Sequence, residues 1–236
     1  MTVVFGLLCV LFVVQWSVRL PLGPAEIQHK FCSGRVEDCA FVAKALDMLP
    51  QDCRRNVHSV TIRYDDPELA GFTTTYGDVW FAGDLLTSHP SEFRANIVHE
   101  CGHIVDFLFL TGNPRSPPTP FTFRTLPTTE DDPSLGFYAI SWSDSFTKKP
   151  GVSAKDFVSG YAQMSAIEDF AESYAYLILQ RGAFETRARR RPALRLKLQY
   201  MKSLLPSTFT IALGQAWNGK IPGTVSGLSY DWAMGA

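Results

Sequence analysis

The chain has 236 residues, 46% of them hydrophobic and 19% charged, with a formal net charge of −1 at pH 7. Such a composition describes a globular protein with a sizeable core, most simply organised as one large domain. The near-neutral balance lacks the basic surface that nucleic acid or an anionic membrane would require, so neither is expected as a partner.

Val3 to Val14 is apolar throughout apart from Gly6. A bilayer span needs about 20 apolar residues, so this run instead suits the core of a secretory signal peptide. Gly23-Pro24-Ala25 offers a cleavage site before Glu26, and Ser17 an earlier one; no Lys or Arg precedes the run. A signal anchor is the alternative, but Gln15 and Arg19 interrupt a full span. The expectation is a signal peptide over 1–25, a single domain over 26–236, extracellular localisation and no stable membrane span. Once Cys9 leaves with the signal, Cys32, Cys39, Cys53 and Cys101 remain. Four cysteines in a secreted chain fit two disulfides, with three connectivities open.

From Cys32 to Cys53 the apolar positions Val36, Cys39, Ala40, Val42, Ala43, Leu46, Met48 and Leu49 predict an amphipathic helix ending before Pro50. Ser59 to Tyr64 alternates and carries Val60 and Ile62, which predicts a strand, and Asp65-Asp66-Pro67 a turn. Phe72 to Thr75 and Val79 to Ala82 predict a hairpin closing at Tyr76-Gly77-Asp78. Its edge at 72–82 could hold a peptide as an added strand, or it could be purely structural.

His89-Pro90-Ser91 opens a central helix running to about Leu110, with Ser91 as cap and Glu92 in the first turn. Ile97, Val98, Cys101, Ile104, Val105, Leu108 and Phe109 can form its buried side, and Gly102 suggests close backbone packing. Thr111 to Ser134, with Pro114, Pro117, Pro118, Pro120, Pro127 and Pro133, reads as a long loop: a lid, a binding loop or a disordered insertion. A short helix is expected over Phe137 to Phe146, another from a cap at Ser165 to about Gln180, and a last one over Ala193 to Leu205. Arg187, Arg189, Arg190, Arg191, Arg195 and Lys197 read as a solvated basic face. His29, His58 and His89 read as surface or capping groups, and the tail from Ser207 carries no motif.

Inside the central helix, His99-Glu100-Cys101-Gly102-His103 spells H-E-x-x-H. Positions four apart share a helix face, so His99 and His103 can aim at one metal ion, with Glu100 beside them to hold a polarised water. Cys101, two residues from each histidine, projects away; it reads as a packing residue or half of a disulfide. A catalytic zinc needs a third protein ligand. The metzincin extension would place Gly at 106 and His at 109, where the chain has Asp106 and Phe109, so that class is excluded. Asp106 falls near the histidine face and suits an ion-pair partner or an acceptor for a histidine N–H better than a ligand. Glu168, Asp169 and Glu172 are the other candidates. Glu168 and Glu172 share a face and Asp169 points elsewhere, but Ser165 and Glu168 also have capping-box spacing, which competes with a ligand role.

Tyr161, followed by Glu168-Asp169-Phe170-Ala171-Glu172, together with the histidine motif and the hairpin before it, is similar to the catalytic domain of anthrax lethal factor and its relatives. Those relatives include bacterial endopeptidases that cut between prolines, and all are glutamate-type zincins. The resemblance covers a minority of the chain; Cys101, the cysteine framework and the proline-rich segment depart from the pattern. It implies that His99, His103 and Glu168 bind zinc, that Glu100 is the general base and that Tyr161 donates a hydrogen bond to the oxyanion. Glu172 would orient a ligand histidine, a role that spacing alone also allows for Asp106. The implied fold is α+β: a small, mostly antiparallel sheet over the central helix, with a mainly helical C-terminal half. The implied function is that of a secreted zinc metalloendopeptidase working through a metal-activated water on a peptide or protein substrate. The alternative is a secreted binding or effector protein that keeps the fold without significant proteolysis.

Overall fold

A computed structural model describes residues 32–64, 70–88, 90–123 and 126–205. The apolar run at 3–14, the expected turn at 65–67, His29, His89 and the tail from Ser207 lie outside them, as do the side chains of Ser91 and Glu92.

The chain enters on a short strand, β1 (Cys32–Ser33), and turns into α1 (Val36–Asp47), followed by the single turn of α2 (Gln51–Arg54). Helix α1 buries Cys39, Val42, Ala43 and Leu46 as its periodicity predicts, whereas Val36 stays 74% exposed in its first turn. Strand β2 (Ser59–Arg63) buries Val60 and Ile62 and turns its alternate residues outward. The expected hairpin forms from β3 (Gly71–Thr73) and β4 (Asp78–Ala82), paired antiparallel. Its turn needs Gly77: the residue sits at φ 81°, and a Cβ there would lie 2.1 Å from the Asn56 carbonyl oxygen.

The sheet order is β1-β2-β4-β3. Pairs β1–β2 and β2–β4 are parallel and only β3–β4 is antiparallel, so the expected mostly antiparallel sheet is in fact mixed. The reason is topological. A helical crossover (α1 and α2) separates β1 from β2 and lays them parallel, and β3 goes to the outer edge instead of between its sequence neighbours.

After α3 (Gly83–Ser88), the central helix α4 (Pro90–Ile104) crosses the molecule and widens into a π-helical turn over Val105–Phe109. The Leu110 N–H reaches back to the Val105 carbonyl at 2.9 Å. The wider turn shifts the helix faces. Leu108 is half-buried and Phe109 is 46% exposed, where straight α-helical periodicity had put both inside. The proline-rich segment is also more ordered than its composition suggests. It contains a two-stranded antiparallel ribbon, β5 (Pro118–Phe123) and β6 (Leu126–Thr129), with irregular register between Pro118 and Thr122. Proline is compatible with a two-stranded ribbon because each strand leaves half its N–H groups unpaired.

The second half is helical. Helix α5 (Leu135–Ser141) stops before its expected end at Phe146, because Trp142 turns extended and bridges to Lys148. Helix α6 (Ala166–Leu179) begins at the expected cap, with Ser165 Oγ accepting the Glu168 N–H at 3.2 Å. Helix α7 (Arg181–Ala188) was not expected; it buries only Phe184 and Ala188, too few apolar positions to set a period. Helix α8 (Pro192–Leu204) closes the described chain with proline in its first turn.

The basic cluster is not simply a solvated face. Arg187 donates to the carbonyls of Val158 (2.5 Å) and Phe157 (2.6 Å). Lys197 is fully buried, 2.6 Å from Asp169 and 4.0 Å above the Phe157 ring. A buried lysine requires such partners, and sequence could not show them across that separation.

Helices α4 and α6 pack directly on each other, as Gly102 suggested. A Cβ on Gly102 would lie 2.7 Å from the Ala171 Cα. Two disulfides complete the frame: Cys32–Cys39 fastens β1 to α1, and Cys53–Cys101 ties α2 to the back of α4. Cys101 is thus half of a disulfide, facing away from the histidines as its spacing required. Among the described residues, no helix is long and apolar enough to cross a membrane.

Candidate metal centre

Close contact between α4 and α6 brings the two sequence motifs together. His99, His103 and Glu168 each offer a ligand atom, and these atoms lie within 4.8 Å of one another. Glu168 Oε2 is 3.1 Å from His99 Nε2 and 3.4 Å from His103 Nε2. The competition at Glu168 resolves without conflict: its backbone N–H takes the Ser165 cap while its carboxylate turns to the histidines. Both histidines are buried, and the Glu168 side chain keeps 19% exposure, so the centre meets solvent on the Glu168 side.

The donor set fits a divalent metal. His99 Nδ1 lies 2.8 Å from Glu172 Oε1, which assigns the proton to Nδ1 and leaves the Nε2 lone pair facing inward. Glu168 Oε2 is buried with no hydrogen-bond partner among the described residues. A buried carboxylate oxygen opposite the His99 lone pair is a donor set that suits a cation. Ligand atoms on tetrahedral zinc, with bonds of about 2.0–2.2 Å, stand roughly 3.4 Å apart, and the contacts to Glu168 match that spacing. Charges in the centre are strongly coupled. Burial disfavours a charge on His99, yet the carboxylates of Glu168 and Glu172, one beside each ring nitrogen, hold its pKa well above the usual histidine range. Burial likewise opposes ionisation of Glu168, but the His103 and His99 imidazoles hold its carboxyl well below the usual carboxylate range.

Glu172 is fully buried and has a second partner, the Ser159 hydroxyl, which donates to Oε2. Ser159 in turn accepts the Ala162 N–H at 3.0 Å, which ties the segment carrying Tyr161 to α6. The Tyr161 ring lies beside the centre, 5.7 Å from the His99 ring between centroids. Glu100 points toward the sheet, where Thr73 Oγ1 on β3 donates to its Oε2 at 2.7 Å. Burial raises the Glu100 pKa, against lowering contributions from the two histidines and Thr73. β3 approaches so closely that a Cβ on Gly71 would fall 2.6 Å from Glu100 Oε1.

The remaining candidates stand apart. Asp169 is committed to Lys197 and to the Trp142 indole N–H (2.9 Å) in the core behind α6, in line with its expected direction away from the site. Asp106 is buried and accepts the Tyr138 hydroxyl at 2.5 Å, while His103 Nδ1 has no hydrogen-bond partner among the described residues. The carboxylate–histidine contact foreseen for Asp106 is therefore not a direct one. His58 pairs with Asp78 at the surface, as a spare histidine should.

Sequence reasoning missed Thr73 and Ser159. Thr73 is the inward position of an edge strand, and its alternation was the one available signal. Ser159 lies in an irregular segment and had none. No protein-family model and no curated protein matches the chain, so the site stands on its own geometry.

Proposed function

We propose that the chain is a secreted zinc metalloendopeptidase of the glutamate type, with His99, His103 and Glu168 as ligands. The observation that supports this best is the convergence of those three side chains beside a buried carboxylate, Glu100, that takes no part in holding them. Zinc bound there would acidify a water molecule and polarise a substrate carbonyl.

The chain's own residues do the rest. Glu100, its basicity raised by burial and its rotamer fixed by Thr73, takes a proton from the attacking water and passes it to the leaving amine. Tyr161 donates its phenolic proton in a hydrogen bond to the carbonyl oxygen as charge develops on it. Glu172, supported by Ser159, keeps His99 in the tautomer that presents Nε2. β3 is the outermost strand in the sheet order of the described residues and Gly71 on it lies against Glu100, so an extended peptide adding to the sheet there as a strand would reach the centre. The two disulfides fit an extracellular protein.

Metal analysis of the purified chain together with a peptide-library cleavage profile tests this reading. Wild type should carry one zinc and cleave. Glu100→Gln should retain the zinc and lose at least about 100-fold in cleavage rate, the scale of a lost general base. Absence of stoichiometric metal, or a Glu100→Gln variant that cleaves like wild type, would refute it. Tight zinc with no cleavage of any peptide by the wild type would leave a zinc-holding binding protein.

A further inference from the structure

The two ligand histidines are held in different ways. An imidazole on a metal must be fixed against ring rotation, ordinarily by a hydrogen bond to its other nitrogen. His99 has that bond, to Glu172. His103 does not; its Nδ1 is buried and unpartnered among the described residues. The face of its ring, however, lies flat against Phe107, with 5.4 Å between centroids and 13° between planes. The His99 ring also meets it, edge-on at 4.8 Å and 86°. Phe107 is itself held by Phe123 on β5, 4.1 Å away between centroids.

We infer that Phe107, braced by Phe123 of the proline-rich ribbon, is the positioning residue of His103, doing by ring stacking what Glu172 does for His99 by hydrogen bonding. The inference rests on the metal-binding reading above.

Two observations and one chemical argument carry it. Phe107 stands four residues after His103 and belongs to the π-helical turn. Each residue in that turn advances less around the axis than in an α-helix, so the ring is held back over His103. Phe107 and Phe123 are both only half-buried, so filling the core does not explain the pair. An imidazole that gives electron density to a cation also presents a more electron-poor face, which an aromatic face attracts. The ribbon thereby becomes part of the metal centre: its Phe123 closes a run of four rings from His99 through His103 and Phe107.

Zinc affinity of the full chain, measured by competition with a chromophoric chelator, and the visible spectrum of the cobalt-substituted protein test the role independently of turnover. Phe107→Leu, which keeps the bulk and removes the ring, should weaken zinc binding about 10-fold and shift the cobalt bands. Phe107→Tyr should restore both. Phe123→Leu, which leaves α4 and its π-turn untouched, should shift both readouts in the same direction by less, and it serves if Phe107→Leu does not fold. Wild-type affinity and spectrum in the leucine variants would overturn the inference, as would a Phe107→Tyr variant as impaired as Phe107→Leu. Failure of the wild type to bind zinc would instead overturn the metal reading and this inference together.

Discussion

Asp106 sits one turn beyond His103, fully enclosed, and burial raises its pKa to about 7 against the opposing hydrogen bonds from Ser134 and Tyr138. In the unfolded chain it titrates near 4, so between about pH 4 and pH 7 the folded protein binds more protons than the unfolded one. Its contribution to stability is therefore fully present below about pH 4 and is lost as pH rises through 7. Asp106→Asn removes this dependence while keeping an acceptor for Tyr138. With a chelator present, urea titrations should find the variant more stable than wild type at pH 8, by about 1–3 kcal/mol, and most of this advantage gone at pH 5. An unchanged difference at the two pH values would show that Asp106 does not titrate in that window. Residue by residue, legibility followed local spacing. His99, Glu100 and His103 were readable because helical periodicity fixes who shares a face within one segment; it also set Glu168 and Glu172 on one face, but the choice of Glu168 as ligand came from the resemblance. Ser159, which supports Glu172, belongs to no periodic pattern, and the strand alternation that turns Thr73 inward does not say that it meets Glu100.

The pairing of α4 with α6 depends on one missing Cβ. With Ala171 already 2.7 Å from where that atom would stand, Gly102→Ala must push the helices apart, although alanine favours a helix by about 1 kcal/mol over glycine. Overpacking of this kind costs roughly 1–3 kcal/mol, so the net expectation is a lower Tm together with weaker zinc binding, because Glu168 moves with α6. A more stable Gly102→Ala variant would mean that the close approach is not needed. The π-helical turn and the β5–β6 ribbon are the elements that the pattern did not reveal. One extra residue in a helical turn changes the direction of every later side chain, as the exposed Phe109 shows, yet leaves the apolar composition untouched. The ribbon was hidden for a different reason: prolines signal the absence of regular pairing, and two strands can pair through their remaining donors.

Across the whole molecule, the disulfides are unequal. Cys53–Cys101 spans 48 residues and Cys32–Cys39 only 7, so loop-closure entropy assigns about 4 kcal/mol to the first and about 2 kcal/mol to the second. Cys53→Ser with Cys101→Ser should therefore lower stability in urea more than Cys32→Ser with Cys39→Ser. The larger loss should be accompanied by weaker zinc binding, since Cys101 lies between the two histidines on α4. Equal losses would mean that chain entropy is not what distinguishes the two bridges. The buried Lys197–Asp169 pair fastens α8 to the back of α6 in the same way. One side of α6 carries the carboxylates of the metal centre, and the other is anchored in the core.

By itself the sequence determined the helix that carries His99, Glu100 and His103, the capped helix that carries Glu168 and Glu172, the hairpin, and the direction of Cys101. Each follows from a repeat of two or of 3.6 residues, or from turn chemistry at glycine, and such rules act within one segment. Only the tertiary structure decided that these helices meet at Gly102 and Ala171, that Cys101 pairs with Cys53, and that two of the sheet pairings are parallel. It also decided that Lys197 is buried and that Phe107 and Phe123 stack beside His103. Those outcomes depend on which surfaces touch across long separations, and packing selects them by shape and by the need to pair every buried charge.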